Sequence, residues 1–303
     1  MEQQGNSRAG YAFGVGVYLV WGLVPIYFKL LDHVGAIEIV AHRIIWSVPF
    51  LLLLLALIGR IGHLRAAMLN GRLIGTLAVS AVLIAINWLV YIYAVTTEHI
   101  VAASLGYFLN PFVNIALGTL LLGERLRPAA KVAIFVAAVG VSILAVSALD
   151  TLWISLTLAC SFGLYGYVRK VTEVGAIEGL AVETGILAPL FVIYLIWLAG
   201  NGGLDFARFG APTVGLLLGA ALVTSIPLML FAAAARRLTL TTLGFIQYLA
   251  PSLAFIIGVV IYDEPLNWGQ IVCFGLIWTA IAIFVADNYR AARKRRAVRT
   301  APV

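Results

Sequence analysis

The sequence predicts an all-α membrane protein, with ten transmembrane helices arranged as two inverted five-helix repeats. Three observations lead there. Sixty-three per cent of the 303 residues are hydrophobic and 11% are charged, whereas a soluble domain is nearer half apolar and a quarter charged. The basic residues alternate along the chain as they would between the two faces of a membrane. One constant internal shift superposes rare residues of the first half on the second. So much apolar surface cannot be hidden in one soluble core, and lipid is the solvent that removes the difficulty.

A hydrocarbon core ~30 Å thick needs about 20 apolar residues in a helix. Apolar runs between charged or Gly/Pro-containing breaks lie at 11–31, 38–58, 73–95, 101–122, 128–147, 152–168, 180–199, 213–235, 240–261 and 267–286. The sixth is the shortest. The loops are too short to fold as a soluble domain. The first run is long enough to span and no small-residue cleavage pattern follows it, so it serves as both signal and anchor. Cys160 and Cys273 lie in apolar runs and read as small hydrophobes, with no disulfide.

Lys and Arg set the orientation, because positive loops stay cytoplasmic. With the N-terminus inside, 17 of the 20 basic residues fall on the cytoplasmic side, and only Lys29, Arg43 and Arg208 fall elsewhere. One span more or fewer would spoil this alternation. Both termini are therefore expected in the cytoplasm of a bacterial-type inner membrane. The net charge of +7 is topology information and points to no nucleic acid. The basic tail, residues 291–303, either meets anionic lipid head groups or is simply solvated.

A gapless shift of 140 residues places Val34-Gly35-Ala36-Ile37-Glu38 on an identical Val174-Gly175-Ala176-Ile177-Glu178. Pro49 then meets Pro189, Pro111 meets Pro251, Gly118 meets Gly258 and Glu124 meets Glu264. Chance aligns Leu and Ala easily in such a chain, but not Pro and Glu. The repeats are 1–147 and 148–290. Five spans is an odd number, so the second repeat enters the bilayer from the opposite face. Inverted repeats of this kind are a transporter architecture, with the substrate near the midplane.

The fourth span carries Tyr107, Asn110, Pro111 and Asn114 on one helical face. Asn87 and Tyr91 lie one turn apart in the third. Gln247, Tyr248, Pro251 and Ser252 cluster in the ninth, Thr224, Ser225 and Pro227 in the eighth, and Trp21 is central in the first. Together they suggest a cavity with aromatic walls and neutral hydrogen-bonding groups for a small-molecule solute. The alternative for any one of them is a polar tie between helices. Pro111 and Pro251 are gate hinges or fixed bends. Gly10/Gly14 and Gly215/Gly219 permit close helix contact.

Ionisable residues inside the spans are few. They are His42 and Arg43 in the second and Glu183 in the seventh, with Glu183 on Arg43 under the shift. In inverted halves these two differ in depth by about 15 Å, so they are not expected to meet. Asp32 is the expected partner of Arg43, and Lys170 or Arg236 that of Glu183. A solute path and local helix-tying both remain open for these charges. A proton is a candidate coupling ion, with Glu183 and His42 as its carriers. Glu124 and Glu264 are expected to cap the helices that follow them.

Several stretches resemble a known family. They are Trp21-Gly22, His42-Arg43-Ile44-Ile45-Trp46-Ser47, Ser104 to Pro111 (Ser-Leu-Gly-Tyr-Phe-Leu-Asn-Pro), Leu122-Gly123-Glu124-Arg125, Tyr165-Gly166 with Arg169-Lys170, and Thr242 to Tyr248 (Thr-Leu-Gly-Phe-Ile-Gln-Tyr). They look like the RarD branch of the EamA family of drug/metabolite transporters. The resemblance covers about residues 10 to 290. It implies ten helices in two inverted repeats, a central cavity, and export or exchange of metabolites, amino acids or drug-like solutes. No GxxxxGK[ST] appears, so the chain has no ATPase of its own. No Ser-His pair, HExxH or acidic pair at one depth suggests an enzyme, and no cofactor or metal is expected. The expected function is secondary transport by alternating access. Gradient-independent facilitation and a non-transporting scaffold or sensor are the alternatives.

Overall fold

The computed structural model describes residues 7–97, 99–206, 208–261 and 268–300. Among them every regular element is helical. In chain order these are α1 (Arg8–Lys29), α2 (Ala36–Leu57), α3 (Ile61–Leu69), α4 (Gly71–Thr96), α5 (Ile100–Leu120) and α6 (Pro128–Ala145). After a short 3₁₀ turn come α7 (Leu152–Val171), α8 (Ala176–Gly200), α9 (Ala211–Ala235), α10 (Leu240–Gln247), α11 (Leu249–Ile261) and α12 (Trp268–Thr300).

Among the described residues nine stretches are long and apolar enough to cross a membrane: α1, α2, α4, α6, α7, α8, α9, α10 taken with α11, and α12. Helix α5 fills the fourth expected span with 21 residues but is not among the nine. Two amides and a proline lie in its middle. The surface is apolar where a soluble protein's would be polar. Leu53, Phe135, Leu190, Ile193 and Ile196 are exposed, while Ser47, Ser80, Asn114 and Glu183 are buried. Lipid is the solvent that makes this arrangement favourable. The chain is a multi-pass membrane protein.

Local chemistry fixes the helix ends. Ser7 caps α1 by accepting from the Gly10 N–H at 3.0 Å, and Pro128 opens α6 where its missing N–H costs nothing. Helices α2 and α8 both end on a left-handed glycine, Gly59 at φ 68° and Gly202 at φ 71°. The same paired bonds close each end: Gly59 N to Ala56 O and Arg60 N to Leu55 O, then Gly202 N to Ala199 O and Gly203 N to Leu198 O. The ninth span is not one helix. It breaks at Tyr248, three residues before Pro251, whose ring cannot donate to the preceding turn. Pro111 sits inside an unbroken α5, so the two shift-related prolines behave differently. The last helix also outruns its expected end at 286 and continues to Thr300.

Helix packing follows the 140-residue shift. Helix α1 packs on α9 and α11, and α7 packs on α4 and α5; α2 packs on α8, α5 on α10, and α6 on α12. Exchanging the two halves leaves this list of partners unchanged. Helices α2 and α8 run antiparallel. Arg60, just after α2, meets Glu178 in the first turn of α8 at 2.8 Å, while Glu38 in the first turn of α2 accepts from the Asp205 N–H beyond α8 at 3.0 and 3.1 Å. Of the two GxxxG pairs, Gly10 and Gly14 meet Leu238 closely, whereas Gly215 meets nothing. Both cysteines are free.

Candidate solute site

Two polar centres lie within the bundle. The first surrounds Arg43 on α2. Its Nε donates to Thr224 Oγ1 on α9 at 2.7 Å. Its guanidinium carbon lies 5.2 Å from the Phe28 ring and 5.3 Å from the Trp88 ring, a cation–π arrangement from two sides. Tyr27, Tyr91 and Tyr107 are within electrostatic reach of it. Tyr91 and Tyr107 meet edge to face at 6.0 Å, and they are 39% and 41% exposed although α4 and α5 hold them next to a guanidinium in the bundle. The sequence placed Asp32 beside Arg43. Asp32 lies instead 3.7 Å from His33, exposed in the loop beyond α1.

The second centre surrounds Glu183 on α8, which is 1% exposed. Ser80 on α4 donates to its Oε1 at 2.6 Å, Arg169 on α7 to the same oxygen at 3.4 Å, and Tyr165 to Oε2 at 3.5 Å. Arg169 also donates to the Ala176 carbonyl at 3.0 Å and is itself 1% exposed. The expected partners of Glu183, Lys170 and Arg236, are used elsewhere. Lys170 donates to the carbonyls of Ala235 and Leu238, and Arg236 to that of Val174. Lys170 thereby closes the open C-terminal end of α9, where a cation sits well.

Between the centres lies an aromatic block. Trp21 meets Tyr18, Phe162 and Phe231 at 5.5, 5.5 and 5.8 Å, and Tyr165 stacks on Phe231 at 5.8 Å. A pocket of about 610 Å³ opens beside the start of α8, lined by Phe13, Arg60, Val174, Ala233, Arg236 and Arg237 among others.

The remaining expected site residues separate into two sets. Asn87 donates to Leu158 O at 2.9 Å and Ser161 Oγ at 3.1 Å, tying α4 to α7. Asn114 donates to Gln247 at 2.8 Å, tying α5 to α10. Tyr248 donates to Phe108 O at 3.4 Å, a bond between two shift-related positions. Ser252 accepts from Trp278 at 3.0 Å. Asn110 is buried, and its Oδ1 has no partner among the described residues. His42 accepts from Trp46 at 3.1 Å and stacks on Phe206 at 4.6 Å. It belongs to the α2 end, apart from both centres. Pro111 touches the α10 backbone, where only a glycine, Gly244, fits. Pro251 lies at the helix break. Glu124 caps a helix, but not the next one. It accepts from the N–H groups of Leu240 and Thr241 at 2.6 and 2.9 Å, so it closes α10 in the other half. Glu264 lies outside the described residues.

Sequence reasoning missed Trp88, Ser80 and Arg169. The seat of Arg169 shows only in three dimensions: Gly179 and Glu183 share a face of α8, and a Cβ at Gly179 would lie 1.9 Å from the Arg169 Nη1. The glycine is the slot for the guanidinium.

The EamA-like transporter family matches residues 8–146. The protein RarD of Streptomyces exfoliatus is 43% identical, over 98% of this chain and 94% of its own. This chain belongs to the EamA-like transporter family, in its RarD-type branch. The protein RarD of Escherichia coli K12 is 41% identical over 95% of this chain and 98% of its own. An uncharacterized transporter of Vibrio cholerae is 40% identical over 98% of each. One solved crystal structure superposes with a TM-score of 0.69 at 17% identity, over 91% of this chain and 98% of its own, which speaks to the fold alone. The chain is a membrane transporter, and such proteins bind small solutes.

Proposed function

We propose that the chain is a secondary transporter that moves a small amphipathic solute by alternating access through a central aromatic and polar cavity. In this reading ten spans form two inverted repeats, residues 1–147 and 148–290, in a bacterial inner membrane with both termini cytoplasmic. The antiparallel run of α2 and α8 and the exchangeable packing partners support the inverted repeat. One observation carries the transport reading: Tyr91 and Tyr107 are exposed around Arg43 within the bundle, where a charge is expensive unless it faces a water-filled path. The Trp21 block and the Arg169–Glu183 pair then close the opposite side.

The test is uptake and efflux by reconstituted vesicles, with and without a proton gradient. Solute flux that depends on the protein supports the reading, and none for any small amphipathic solute refutes it. The contacts of Glu183 favour facilitation over proton coupling, because its carboxylate is already held by Arg169, Ser80 and Tyr165. Should Glu183→Gln abolish gradient-driven accumulation and spare downhill exchange, coupling through Glu183 replaces facilitation. A reporter active only outside the cytoplasm, fused to the C-terminus, tests the orientation and must stay silent.

A further inference from the structure

We propose that the Arg43 centre takes an organic monoanion, whose carboxylate lies on the guanidinium and whose flat apolar body lies against Phe28, Trp88, Tyr91 and Tyr107. The proposal rests on the transport reading and names the substrate class of the same site.

Arginine stays charged in proteins. Inside a span it needs a partner, water or a ligand. Arg43 uses only Nε, on Thr224. Its two terminal nitrogens donate to none of the described residues, and no described carboxylate lies within 4.0 Å of it. Three described acids at the same end of the bundle are engaged elsewhere. Asp32 faces His33, Glu38 accepts from the Asp205 backbone, and Asp205 lies 3.5 Å from Arg208. The free edge of a guanidinium is a fork that matches a carboxylate. The Tyr91 and Tyr107 hydroxyls also have no partner among the described residues, so two further donors border the same space. The rings around them supply flat apolar walls. Among the described residues no acid lies within 4.0 Å to receive an ammonium group, so the centre favours a monoanion over a cation or a zwitterion.

The other deep arginine shows what a structural charge looks like in this chain. Arg169 is 1% exposed and is given Glu183 as a counter-charge. Arg43 is half-buried and is given none.

Thermal stabilisation of the purified full chain by phenylacetate and by its neutral isostere phenylacetamide tests this, at matched ionic strength. Phenylacetate should stabilise at concentrations at least about tenfold lower than the amide, the minimum expected for a desolvated charge pair. Acetate should give no comparable effect. Arg43→Gln should lose the preference, and Arg43→Lys should keep part of it. The proposal is overturned if no carboxylate among benzoate, phenylacetate and naphthoate outdoes its amide, if acetate matches phenylacetate, or if the preference survives in Arg43→Gln. Should Arg43→Gln fail to fold, the comparison on the unaltered protein decides alone. Vesicle flux separates the two readings. A carboxylate preference in binding without any flux keeps the anion site and removes transport, whereas flux with no such preference does the reverse.

Discussion

Arg43 lies seven residues into α2 from Ala36, and Glu183 lies seven residues into α8 from Ala176. Each is about 10 Å along its helix from its own start. Each bonds a hydroxyl on a neighbouring long helix, Thr224 on α9 for Arg43 and Ser80 on α4 for Glu183. From there they diverge. Glu183 is buried and meets an arginine, a tyrosine and a serine. Arg43 is half-buried, has aromatic rings on two sides, and meets no acid among the described residues. Because α2 and α8 are antiparallel, the two centres lie toward opposite ends of the bundle. Two positions related by the 140-residue shift thus carry a closed ion pair on α8 and an open cationic centre on α2. Such a difference is what a path accessible from one side requires.

The strongest way to break this comparison is to exchange the charges. Arg43→Glu with Glu183→Arg would rescue both singles if the residues were partners, because the attraction would be kept. We expect no rescue and complete loss of transport and of most folded protein. Glu183→Arg sets two arginines against each other beside Ser80, and Arg43→Glu reverses the charge that faces the tyrosines. Folded yield and vesicle flux check both. A smaller effect is expected from Glu183→Gln alone. It leaves the Arg169 charge buried without a counter-charge, which costs about 3–5 kcal/mol. Arg169→Met with Glu183→Gln should be milder than Glu183→Gln alone, read by thermal unfolding in detergent. Additive losses would show that the pair is not the unit that matters.

How far the two centres were legible differs for a physical reason. The spans were readable because twenty apolar residues in a row have few other uses. Arg43 was found because a charge inside an apolar run stands out. Arg169 was not, because it ends a run and so counts equally well as a loop cation in the orientation argument. Only the third dimension shows it bent back over Gly179 to reach Glu183. The break at Tyr248 was hidden for a related reason: Pro111 and Pro251 look alike in sequence, and only one interrupts its helix. Gly179→Ala tests the slot directly. The added methyl would lie 1.9 Å from the Arg169 Nη1, so the guanidinium must move. Overpacking of this kind costs about 1–3 kcal/mol. A thermal midpoint unchanged from the parent protein would mean that Arg169 is free to leave.

The smallest expected effect on stability separates two neighbours on α5. Asn110 and Asn114 share a helical face, and both are buried. Asn114 donates to Gln247 at 2.8 Å, so Asn114→Leu strands a buried amide oxygen on α10 at about 1–3 kcal/mol and should lower the amount of folded protein. The Oδ1 of Asn110 has no partner among the described residues. Asn110→Leu therefore removes a polar group that the fold does not use through that oxygen, and folded protein should stay within about twofold of the parent, the scale of a few tenths of a kcal/mol. If Asn110 lies on the solute's route in another conformation of the transport cycle, flux should fall several-fold all the same. Equal loss of folded protein in both variants would make Asn110 a helix tie like Asn114, and the polar face of α5 would then serve the fold alone.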